Sequence, residues 1–174
     1  MRRFLSIGFL FSVAVLSQVN GFLAGAPAPP GRSPQDEIRH VLDTQVAAWN
    51  QGDIEGFMKG YWNSQELLFT SGGKLRRGWQ ETLNQYKATY PDHARMGELS
   101  FSDLEVHLLP NSRGQGDTPV AAWVLGKWRL KRAGDEPQGI FTLILQKFPN
   151  SQGGVTPVWK IVHDHTSSSL PEPK

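Results

Sequence analysis

The stretch Val158-Trp159-Lys160-Ile161-Val162-His163-Asp164-His165, closed by Thr166-Ser167, is the one around which the chain can be read. Side chains on a strand alternate between its two faces. Regular alternation sets Trp159, Ile161, His163 and His165 on one face, and Lys160, Val162 and Asp164 on the other. An apolar row ending in two imidazoles predicts the floor and rim of a pocket, with the rest of the chain as its surroundings.

Upstream, Val120–Leu130 and Gly139–Phe148 read as the two longest strands, joined by a hairpin through Ala133-Gly134-Asp135-Glu136-Pro137. Both are apolar on both faces: Val124 and Trp128 against Trp123 and Leu125, and Phe141, Leu143 and Leu145 against Ile140 and Ile144. An antiparallel sheet with one wet face alternates apolar and polar residues. Helices cover one face of such a sheet, so the outer face is expected to meet a second copy of the chain, giving a homodimer packed sheet to sheet. Before these strands, Leu99 and Phe101 occupy odd positions, whereas Leu104, Val106 and Leu108 occupy even ones. A change of parity within one strand requires an inserted residue, which predicts a β-bulge at Ser102-Asp103.

The N-terminal half has the helical period. Ser33 is placed to cap a helix whose first turn holds Pro34, Asp36 and Glu37, and Ile38, Val41, Leu42, Val46 and Trp49 continue it at helical spacing. Gly52 ends that helix and Asp53 caps a second, shorter one bearing Ile54, Phe57, Met58 and Tyr61. Leu67–Thr70 and Lys74–Arg77 read as short strands around Ser71-Gly72-Gly73. A third helix runs from about Gly78 to Tyr90, where Pro91 stops it.

Met1-Arg2-Arg3 followed by a mostly apolar run from Phe4 to Val15 predicts a signal peptide over residues 1–21, with cleavage as late as 26. The run is shorter than the roughly 20 residues of a membrane span, so no membrane association is expected after its removal. Residues 22–32 form a Pro/Gly/Ala leader, 33–167 the domain and 168–174 a disordered tail; the protein is expected to be exported, periplasmic or secreted. Of 18 Lys and Arg residues, Arg2 and Arg3 lie in the signal segment, which leaves 16 against 16 acidic residues. No basic field of the kind that nucleic acid requires remains. The chain has no cysteine, which excludes thiol catalysis, thiolate metal sites and disulfide support.

The element order, together with Ala48-Trp49-Asn50-Gln51-Gly52-Asp53, Tyr61-Trp62, Phe69, Gly78, Tyr86, Gly126-x-Trp128, Gly139-x-Phe141 and Trp159–Ser167, resembles the nuclear transport factor 2-like superfamily. The resemblance is nearest to its SnoaL-like members and to the association domain of calcium/calmodulin-dependent kinase II. It implies an α+β, cone-shaped fold of three N-terminal helices packed on a strongly curved antiparallel β-sheet. It also implies a pocket between the helices and the concave face, and a dimer through the convex face. The superfamily holds enzymes, assembly hubs and binding proteins alike, so the fold leaves function open.

Three roles stand for the imidazoles: His163 or His165 as general acid/base, His163 and His165 with His107 or an acid as metal ligands, and a structural role. The expected site takes His163 and His165 as catalytic, with no metal and no cofactor. Its pocket is lined by Trp49, Tyr61, Trp79, Tyr86, Arg129 and Trp159. Trp128 and Arg129 point opposite ways, so one of the two lines the cone. Resemblance to ketosteroid isomerase calls for a buried carboxylate near Phe69-Thr70-Ser71, where the sequence has none. Resemblance to scytalone dehydratase is met in part by His163, His165, Tyr61 and Tyr86. The expected function is an exported pocket protein for a small, partly apolar and anionic ligand, with isomerase- or dehydratase-like acid/base activity. The alternative is a non-enzymatic dimerisation or interaction module.

Overall fold

Ser33 opens the fold as the sequence predicts: its hydroxyl accepts the Asp36 amide at 3.1 Å, and Pro34 fills the first turn of α1, Pro34–Asn50. The computed structural model describes residues 31–110, 120–149 and 156–169. The expected signal segment, most of the leader and of the Pro110–Pro119 and Pro149–Gly154 connections, and the last residues of the tail lie outside the described residues.

Gly52, at φ +79°, reverses the chain after α1, and the Asp53 carboxylate accepts the Gly56 amide at 2.7 Å to start α2, Ile54–Met58. Then come β1 (Leu68–Ser71), β2 (Lys74–Arg77) and α3 (Trp79–Thr89). A fourth, single-turn helix that the periodicity does not reveal, α4 (His93–Met96), follows Pro91, and Asp92 caps it by accepting the Arg95 amide at 2.8 Å. Four long strands complete the domain: β3 (Glu98–Leu109), β4 (Ala121–Lys131), β5 (Gln138–Phe148) and β6 (Val158–Thr166).

The six strands form one sheet in the order β2-β1-β6-β5-β4-β3. The sheet is mixed rather than purely antiparallel, because β1 pairs with β6 in parallel. Those two strands are separated by most of the domain, so no tight hairpin dictates their direction. The bulge predicted in β3 is present. Asp103 and Leu104 stand opposite Gly126 alone, and Asp103 takes φ +52°, a conformation Asp tolerates better than most side chains. Gly126 faces the crease. A Cβ there would sit 2.5 Å from Phe141 Cζ and 2.7 Å from Leu104 Cδ2, so the absent side chain lets the sheet bend around the Phe141 ring.

The helices cover one face only. Ile38, Leu42 and Trp49 of α1 meet Leu99, Val124, Leu143, Leu145 and Ile161 of the sheet in the core. Ser167 and Ser169 donate their amides to the Ile140 and Gln138 carbonyls at 2.9 Å and extend the β5–β6 ladder. On the far face Ile140 and Ile144 are 52 % and 38 % exposed, beside half-buried Trp123 and Leu125.

Asn50 couples the helices to the sheet. Its side chain donates to the Leu99 carbonyl at 3.0 Å and accepts the Leu99 amide at 2.7 Å, as a partner strand would. An unmet buried backbone group costs about 1–3 kcal/mol. Asn50→Ala should therefore lower unfolding free energy in urea by about 2–4 kcal/mol; a loss below about 0.5 kcal/mol would show that these two bonds do not hold the helical hairpin to β3.

Candidate functional site

The local feature that positions the site is a second bulge, in β6. Leu145 pairs with Ile161 and Ile144 with His163, so Val162 is an extra residue without an opposite number. The parity of the strand changes there. Trp159 and Ile161 face the helices, and beyond the bulge so does Asp164, opposite Leu143, followed by Thr166 opposite Phe141. His163 and His165 turn to the other face, opposite Ile144 and Thr142.

Between helices and sheet lies a cavity of about 160 Å³, comparable with cavities that hold one benzene ring. Its wall is aromatic. Trp49 from α1, Tyr86 from α3, Phe101 and Trp128 from the sheet, and Tyr90 all line it. The rings pack edge to face, with Trp49 at 4.8 Å from Tyr90 and 5.9 Å from Tyr86, and Tyr86 at 5.3 Å from Phe57.

Asp164, 4 % exposed, supplies the polar centre. Tyr61 donates its hydroxyl to Oδ2 at 2.7 Å, and Thr166 donates its hydroxyl to Oδ1 at 2.7 Å. The backbone holds Tyr61 in place, because Ile161 donates to Gly60 O and Trp62 donates to Ile161 O on either side of it. Burial raises the Asp164 carboxyl from 3.8 to about 6, against the opposing pull of the Thr166 and Tyr61 hydrogen bonds and the His165 charge. Burial and the Asp164 charge push the Tyr61 and Tyr86 phenols well above the usual range, so both stay neutral, and Tyr61 serves as a donor to Asp164. The result is a carboxyl group that changes protonation near neutral pH inside a cavity walled by aromatic rings together with the polar side chains of Gln45, Ser71, Thr166 and Ser168, which suits proton transfer.

Of the eight expected catalytic and pocket residues, Trp49, Tyr61 and Tyr86 line this cavity. The other five do not, each for a physical reason. His163 and His165 lie on the opposite sheet face because Val162 resets the alternation. Burial and the His165 charge lower the His163 pKa, and its Nδ1 is buried without a hydrogen-bond partner. Arg129 is exposed and pairs with Glu136 at 2.8 Å, while its neighbour Trp128 faces inward. Trp159 is buried elsewhere, donating to Glu37 at 2.9 Å in a cluster where Lys147 meets the same carboxylate at 2.7 Å. Trp79 donates to the Met58 carbonyl at 2.9 Å and holds α3 to α2. His107 lies three strands from His163 along one row, about 14 Å at the usual strand spacing, too far to share an ion with it.

The residues that simple alternation missed are Asp164 and Thr166. Two adjacent apolar residues, Ile161-Val162, were the available signal of the bulge. Phe69-Thr70-Ser71 holds no carboxylate, but Asp164 on the neighbouring strand is the register partner of Phe69.

No family sequence model matches the chain, and no curated protein does. Solved structures do. An NTF-2 like protein of unknown function from Shewanella oneidensis MR-1 is 41 % identical, covering 78 % of this chain and 99 % of its own, with a TM-score of 0.67. Two others share the fold at low identity. One is a cystatin-like-fold protein of unknown function from Nostoc punctiforme, 11 % identical over 80 % of this chain and 93 % of its own, with a TM-score of 0.57. The other is of the calcium/calmodulin-dependent protein kinase II association-domain type, from Xanthomonas campestris, 16 % identical over 84 % and 94 %, with a TM-score of 0.55. With the fold and the identity to the Shewanella protein together, the chain belongs to the nuclear transport factor 2-like superfamily.

Proposed function

We propose that this chain is an exported, dimeric pocket protein that binds a small, largely apolar ring compound, and that Asp164 exchanges a proton with the bound molecule. The observation that carries the reading is the Asp164 carboxyl, buried among aromatic rings and shifted to about 6. Above that pH it is a carboxylate able to accept a proton, and below it a donor; Tyr61 and Thr166 orient it in either state. This assigns the acid/base role to Asp164 in place of the two imidazoles. It also withdraws the expected anionic ligand, because Arg129 and His165 lie outside the cavity.

Export rests on the basic and apolar run of residues 1–15. The dimer rests on the outer sheet face, where Ile140, Ile144, Trp123 and Leu125 form an apolar surface too continuous for an antiparallel sheet facing water. That face is also what favours the rival reading, an interaction module in which the cavity is idle.

Saturation-transfer NMR with benzyl alcohol separates the two. The account expects saturable binding that Ser71→Trp, which adds bulk at the half-buried cavity rim, weakens at least tenfold; no binding by the unaltered protein would favour the interaction module. In sedimentation velocity the protein should run as a dimer and Ile144→Lys as a monomer. A monomeric unaltered protein would refute the sheet-to-sheet pairing.

A further inference from the structure

Among the described residues Asp164 is the one buried acid, and its charge is met differently from that of the ion-paired acids. Glu37, Glu55, Asp103, Glu136 and Asp135 each have a Lys or Arg within 2.8 Å. Among the described residues no Lys or Arg lies within ion-pair distance of Asp164, although it is more deeply buried than any of them. Buried charges are ordinarily paired, because desolvation without a counter-charge is costly. A carboxylate offers about four acceptor sites. Tyr61 and Thr166 take one on each oxygen, and the remaining sites belong to a group that lines the cavity.

The cavity wall fits a positive charge in two further respects. Its described lining contains no Lys, Arg or His, and the phenols of Tyr61 and Tyr86 are held neutral; the nearest positive charges, Arg76 and Arg132, act on it only through Tyr86 and Tyr90. Aromatic rings attract cations through their negative faces, and desolvation strengthens the effect. Trp49, Tyr86, Tyr90 and Trp128 ring the same space that Asp164 borders.

We propose that the ligand of this cavity is a small organic ammonium ion, its charge set against the Asp164 carboxylate and its body enclosed by the aromatic wall. The inference rests on the reading of the cavity as a ligand pocket and names the class of molecule it takes. A small anion is disfavoured by the same geometry, since it would meet the Asp164 charge with no cation to offset it.

Three compounds of nearly equal shape test it: benzylamine, which is a cation at pH 7.5, neutral benzyl alcohol and anionic benzoate. In calorimetric titrations, benzylamine should bind at least tenfold more tightly than benzyl alcohol, and benzoate more weakly than either. Asp164→Asn should abolish the preference for the amine over benzyl alcohol. Should that variant fail to fold, the unaltered protein is titrated at pH 5, where the carboxyl is protonated. Around it Tyr61, Tyr86 and Thr166 stay neutral, the His165 charge reaches the carboxyl from the other face, and Arg76 and Arg132 act on Tyr86 and Tyr90; with the carboxyl protonated the amine preference should again shrink. Equal binding of the amine and the alcohol would overturn the cation assignment and leave the pocket reading intact. An amine preference that survives both Asp164→Asn and pH 5 would also overturn it. Binding of none of the three would overturn both readings.

Discussion

The hydrogen bond from Tyr61 to Asp164 spans the domain, joining the segment after the helical hairpin to the final strand. It forms only because β6 carries one residue more than its partner. Were Val162 paired in regular alternation rather than bulged, the alternation set by Trp159 and Ile161 would turn Asp164 to the outer face and the imidazoles inward. The bulged pairing at Val162 thus decides which chemistry the cavity holds. It exchanges a pair of histidines for a carboxyl clamped by two hydroxyls.

The rest of the architecture serves that placement. The β3 bulge and the bare Cα of Gly126 bend the sheet around Phe141, and the curvature opens a chamber that a flat sheet would close. The parallel pairing of β1 with β6 sets Phe69 beside Asp164 and keeps water from that side. Asn50 ties the helical lid to β3 through the Leu99 backbone, so the aromatic residues of α1, α2 and α3 stand over the concave face. Burial by this shell is what raises the carboxyl pKa, and the Tyr61 and Thr166 hydroxyls limit the rise.

The elements were legible wherever apolar side chains report their face. Helical spacing marks α1, and the parity change between Phe101 and Leu104 exposes the β3 bulge, which the pairing bears out. The β6 bulge is marked only by the adjacent pair Ile161-Val162, because the residues after it are His, Asp and His, and a polar residue does not declare which face it occupies. The same silence hid α4, whose four residues are too short to show a period. The aromatic residues divided along similar lines. Trp49, Tyr61 and Tyr86 could be assigned to the cavity, whereas Trp79 and Trp159, equally aromatic, hold helices to their neighbours through indole hydrogen bonds. Hydrophobicity alone does not distinguish a wall from a strut. For Trp128 and Arg129, alternation stated the choice, and the inward set of Ala122, Val124 and Leu130 decides it for Trp128.

The most direct test of the central claim is the titration of the Asp164 carboxyl carbon by 13C NMR in the unliganded protein. The account predicts a midpoint near pH 6, moving further upward in Tyr61→Phe, because the lost hydrogen bond favours the ionised form. A midpoint near the ordinary 3.8, unchanged by that substitution, would mean that the carboxyl faces water and that the cavity lacks its chemical centre.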